Sequence, residues 1–177
     1  MRCDEELHYG WFLGIVEKVW LGSGGGSGSS PRLSFTPDSG SPTEDGLPTP
    51  LPPPRPTEVQ LMDRVEEAQV EGRLPYALPP SSPLLRIRLS QHGLTLTQEE
   101  EAREDLVLHR LPLHTIAQSC VYDDGFGRSN LIVKVGQVGK NVYDAYVFQT
   151  KTQEEALKIS QSLDRIFKHI AARSTQE

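Results

Sequence analysis

Between residues 84 and 148 the chain is a succession of short apolar-alternating runs, parted by glycine-containing turns and with no helical periodicity between them. Side chains on a strand point to alternate faces, so runs of period two form half-buried strands. Strands that follow one another without crossover helices pair antiparallel. In residues 84–89, Leu85, Ile87 and Leu89 alternate with Arg86 and Arg88, which gives one apolar and one basic face. A turn at residues 90–93 leads to a second strand over 93–97. Strands are then expected over 106–113 with a bend at Pro112, over 115–122, over 131–135 and over 142–148. Asp123-Asp124-Gly125-Phe126-Gly127 and the segment holding Gly136, Gly139 and Asn141 supply the turn dihedrals. This order argues against a doubly wound parallel sheet.

The flanks complete one domain over residues 8–173. Residues 8–21, rich in aromatic and branched side chains and free of proline, read as an N-terminal strand in which Gly14 marks a bulge or a close backbone contact. Residues 22–56 are glycine-, serine- and proline-rich. With almost no apolar surface to offset their ordering entropy, they read as a flexible insertion, natural or introduced. Beyond it, Leu61, Val65 and Ala68 recur at helical spacing, capped by Thr57 and stopped by Gly72. A proline-rich connection over 74–83 follows. The last element opens at Thr152, with Glu155 three residues later as a capping box, and carries Ala156, Ile159, Leu163, Ile166, Phe167 and Ile170 along one stripe. The fold class expected is α+β: a seven-stranded antiparallel sandwich or partly open barrel closed by a C-terminal helix.

Composition removes several functions. A net charge of −6 with mixed signs gives no general attraction for nucleic acid or anionic lipid. Two cysteines, Cys3 and Cys120, make neither a disulfide framework nor a zinc site, and Cys120 reads as a buried thiol. The N-terminus lacks an apolar run after a basic segment, and no stretch approaches a membrane span, so a cytoplasmic chain without stable membrane insertion is expected. His109 and His114 lack a completing ligand set, and neither a phosphate-cradling loop nor a nucleophile elbow is present. No enzyme, cofactor or metal is expected, and Asp123 and Asp124 are read as turn residues.

Four stretches carry a family likeness: Phe12-Leu13-Gly14-Ile15-Val16-Glu17-Lys18, residues 68–76, Val107-Leu108-His109-Arg110, and Cys120-Val121-Tyr122-Asp123-Asp124-Gly125-Phe126-Gly127. On these, and on the order of its elements, the chain resembles the phosphotyrosine-binding family, whose framework is shared with pleckstrin-homology domains. The likeness is strongest to a member that takes unphosphorylated Asn-Pro-x-Tyr or Asn-Pro-x-Phe tails. It implies an adaptor that seats a peptide between the fifth strand and the C-terminal helix. The peptide-binding residues carried over are Ile116, Ala117, Gln118, Ser119, Cys120 and Val121 on the strand, with Leu163, Phe167 and Ile170 on the helix. The partners implied are integrin beta-subunit cytoplasmic tails or a cytosolic scaffold with such a motif, met at the plasma membrane or cell junctions. Arg86, Arg88, Arg110 and Lys134 are the cations available to a phosphate if phosphotyrosine were required; a lipid-binding pleckstrin-homology-like module is the rival reading. In the insertion, Pro50, Pro53 and Arg55 match the spacing of an SH3 ligand.

Overall fold

The computed structural model describes residues 5–19, 56–100, 104–136 and 142–175. The SH3-type motif at Pro50, Pro53 and Arg55, nearly all of the 22–56 insertion, and the last two residues of the expected first strand lie outside these.

Seven strands run β1 (Glu6–Val19), β2 (Leu85–Ser90), β3 (Gly93–Gln98), β4 (Leu106–Pro112), β5 (Ile116–Asp123), β6 (Ser129–Gly136) and β7 (Tyr143–Thr150). Helix α1 (Thr57–Val70) falls between β1 and β2, and helix α2 (Gln153–Ser174) ends the fold. The strand order is β4-β3-β2-β1-β7-β6-β5, antiparallel throughout. The first half of β1, from Glu6 to Gly10, pairs with β2, and the second half, from Trp11 to Val19, pairs with β7. One long strand thus belongs to two sheets, which face each other as a sandwich.

Two apolar layers result. Ile87, Leu89, Leu94, Leu96, Leu131, Val133 and Phe148 fill the space between the sheets, and α2 closes it with Ala156, Ile159, Leu163 and Ile166. Burying an Ile or Leu side chain contributes about 1.5–3 kcal/mol, so Ile159, Leu163 and Ile166 hold the helix firmly. The second layer lies on the other side of the β1-β7-β6-β5 sheet, where Leu61, Val65 and Ala68 of α1 pack with Leu13, Val16, Cys120, Ile132 and Val147. Leu131 and Val133 therefore face one core and Ile132 the other, which explains why β6 reads as a continuous apolar run.

Gly14 has the bulge expected of it. The β1–β7 register shifts between Phe12 and Gly14, φ is +144°, and a Cβ there would lie 2.8 Å from Leu74 Cδ1. Gly72 ends α1 with φ +77°: its N–H donates to Gln69 O and that of Arg73 to Ala68 O, a Schellman closure. The start of α1 corrects the sequence reading. Thr57 is the first helical residue, Pro56 holds the cap position, and no side chain caps the helix. Thr57 already has helical backbone, so its hydroxyl sits one position too far along to accept from the first-turn N–H groups as an N-cap side chain does. Glu99 and Asp105, on either side of the β3–β4 connection, both pair with Arg86 of β2.

Candidate peptide-binding site

β5 has one free side. Its inner neighbour is β6, from Ile116 opposite Val135 to Asp123 opposite Ser129, and no strand among the described residues pairs with its outer edge. Such an edge offers backbone donors and acceptors to an incoming strand. β4 forms the other end of the sheet, but α2 packs most extensively against β5, so among the described residues the β5 edge is the one that stands beside a helical wall.

The β5–β6 register shifts between Ile116 and Gln118, a bulge centred on Ala117. Through it, Ile116, Ser119 and Val121 all reach the α2 side, while Cys120 and Tyr122 face α1. Ile116 and Cys120 are buried and can offer a ligand only backbone, Ala117 is exposed, and Gln118, Ser119 and Val121 are half-buried. On α2, Leu163 lies wholly in the core at 1% exposure, whereas Phe167 and Ile170 pack against the core with part of their surface open. On the α2 side the structure thus brings Ser119 and Val121 together with Phe167 and Ile170 over a core that holds Ile116 and Leu163, leaves Ala117 exposed at the bulge, and puts Gln118 on the opposite face with Cys120, which lies in the α1-side core.

Two polar ties fix the roll of α2. Toward β5, Ser160 Oγ and Ser119 Oγ share a hydrogen bond of 2.7 Å. Toward β1, the buried Ser162 hydroxyl donates to Glu6, which also pairs with Arg165 at 2.9 Å and approaches His8 at 3.4 Å. Burial raises the Glu6 carboxyl, but the Ser162 hydrogen bond, Arg165 and His8 outweigh it and leave the group below its ordinary value. Sequence reading missed Ser160, Ser162 and Glu6. Their one visible signal was that two serines flank the apolar stripe of the last helix.

The cations named from sequence are dispersed. Arg86 is held by Glu99 and Asp105, and Arg88 by Glu5. Arg110 is on β4, opposite Thr95, while Lys134 places its ammonium 3.9 Å from the Tyr143 ring centre, and burial lowers its proton affinity. Among the described residues no group of His, Cys, Asp and Glu is placed to hold a metal ion, and no helix is long and apolar enough to cross a membrane.

The two aspartates build a turn. Asp124 Oδ1 accepts from the N–H groups of Phe126 and Arg128 at 2.8 and 2.9 Å, and Asp123 Oδ1 from Gly125 N at 2.6 Å. Behind it the fully buried Gln149 donates to Tyr76 O, Asn130 Oδ1 and Asp124 Oδ2, and accepts from Arg128, whose guanidinium lies 4.4 Å from the centre of the Trp11 ring. A hollow of about 180 Å³ beside this network is lined by Glu66, Gln69, Tyr122, Asp124 and Asn130 among others. It lies on the α1 side of the sheet, away from the α2 wall.

A seven-stranded antiparallel sandwich closed by a C-terminal helix is the fold of pleckstrin-homology and phosphotyrosine-binding domains, and its free fifth strand flanked by that helix has the form of a strand-addition site. A family model for the beta-1 integrin binding proteins matches residues 55–175, and the chain belongs to that family. Integrin beta-1-binding protein 1 of Mus musculus and of Bos taurus are each 28% identical to it over 111 residues, 62% of this chain and 53% of the relative. The alignment thus spans little more than half the length of these curated relatives. Three of the four motif stretches fall inside the family match; residues 12–18 lie outside it.

Proposed function

We propose that this chain is a non-catalytic adaptor that captures a short extended segment of a partner on the β5 edge, against the Phe167–Ile170 wall of α2. The observation that carries the reading is an unpaired strand edge beside a helix that keeps two apolar side chains partly open. Backbone pairing supplies affinity at such an edge, and pockets for alternate side chains supply selection. Membership of the beta-1 integrin binding proteins favours the cytoplasmic tail of an integrin beta subunit, or a scaffold with an Asn-Pro-x-Tyr or Asn-Pro-x-Phe motif, as the partner. Binding is independent of phosphate in this reading. A phosphotyrosine needs convergent arginine or lysine donors to offset its desolvation, and Arg86 and Arg88 already serve carboxylates.

The test is a heteronuclear NMR titration of the full chain with Asn-Pro-x-Tyr peptides from integrin beta tails, each in plain and phosphorylated form. Shifts at residues 116–121 and at Phe167, of equal or smaller size for the phosphopeptide, are the expected result. Tighter binding of the phosphopeptide overturns phosphate independence, and silence from every peptide overturns the groove.

A further inference from the structure

The β5–α2 groove changes character along its length. At one end Ala117 is exposed at the bulge, and Phe167 and Ile170 leave apolar surface open. In the middle, the 2.7 Å bond between Ser119 and Ser160 ties strand to helix. Two serine hydroxyls bonded directly hold their Cβ atoms no more than about 5.5 Å apart. Nothing with a side chain passes between strand and helix there unless the bond breaks.

A strand added to the edge of β5 lies about 4.8 Å from it, and residues opposite one another across a pair project to the same face. Ser119 projects toward α2, so the ligand residue opposite Ser119 does too. It meets a helix drawn in to hydroxyl length. We propose that the Ser119–Ser160 pair sets the side-chain selectivity of the groove: the ligand residue opposite Ser119 is glycine, alanine or serine, and the ligand's bulky apolar residue is taken at the Phe167–Ile170 end. This rests on the strand-addition reading of the β5 edge. The two serines act as positioning residues, because they select by fixing the gap between strand and helix.

The experiment uses the full chain and an Asn-Pro-x-Tyr peptide from an integrin beta tail. Intermolecular NOEs to the Ser119 amide identify the peptide residue opposite it, and the peptide is then made with alanine or leucine at that position. Calorimetric titration of wild type should show leucine binding at least tenfold more weakly than alanine. In Ser160→Ala, and equally in Ser119→Ala, the ratio should fall to threefold or less, because the tie is gone and the helix can yield. Each readout is a ratio on one protein, so a loss of stability common to both peptides cancels. If Ser160→Ala does not fold, Ser119→Ala tests the same bond, and the wild-type ratio alone refutes the idea if alanine and leucine bind equally. A ratio unchanged in both variants also refutes it. The strand-addition reading fails in a different way, by the absence of any peptide NOE to β5.

Discussion

Alanine at Asp124 should cost the domain about 2–3 kcal/mol, while the same change next door at Asp123 should cost about 0.5–1 kcal/mol. Asp124 accepts three hydrogen bonds, from Phe126 N, Arg128 N and Gln149 Nε2. The Phe126 N–H is exposed and water replaces its partner. The Arg128 N–H is part-buried, and losing a carboxylate acceptor there is worth about 1.5–3 kcal/mol. Gln149 keeps Tyr76 O and Asn130 Oδ1, so its share of the loss is small. Asp123 has only the exposed Gly125 N–H to lose. Urea denaturation followed by tryptophan fluorescence measures both differences, and a domain of this size should lose about 2–4 °C of Tm per kcal/mol. Asp124→Asn retains an acceptor at Oδ1 and should recover about half of the loss. Equal costs at the two aspartates, or less than about 1 kcal/mol at Asp124, would show that the turn is held by its glycines and not by this carboxylate.

Burial pushes the Cys120 thiol up to about 11, with Glu58 adding to the rise. Labelling by a thiol reagent at pH 8 should therefore track unfolding, and fast labelling of the native Cys120 would contradict its place under α1. Glu6 titrates below its ordinary value of 4.5 in the folded state, so the stability it contributes is complete above that value and is lost as pH falls through the lower folded one. Glu6→Gln should flatten the acid limb of a stability-versus-pH curve; an unchanged limb would mean that its links to Ser162 and Arg165 add nothing. Phe167→Ala should weaken peptide binding at least tenfold by titration while costing less stability than Leu163→Ala, whose expected loss is about 2–5 kcal/mol. The reverse ranking would make Phe167 a core residue alone.

Local chemistry made much of this fold legible in the sequence. The alternation of Leu85, Ile87 and Leu89, the Thr152 cap with its 3.3 Å bond from Glu155 N and the Gly72 stop each depend on neighbours within a few residues, whereas the Gly14 bulge, flagged by the glycine alone, is made against β7 and Leu74. The fifth strand as the proposed place of peptide binding came through resemblance, and the free edge itself is a property of strand order. Which face of β5 meets α2 was not legible, because the bulge at Ala117 shifts the alternation by one residue and puts Ile116 and Ser119 on the same side. Nor was the buried Gln149, whose partners Tyr76, Asp124 and Asn130 are brought to it from 73, 25 and 19 residues away. The link from Ser162 to Glu6 spans 156 residues. Periodicity and turn chemistry are short-range and can be read along the chain; pairing between distant polar groups exists only once the sheet has closed and the helix has been set across it.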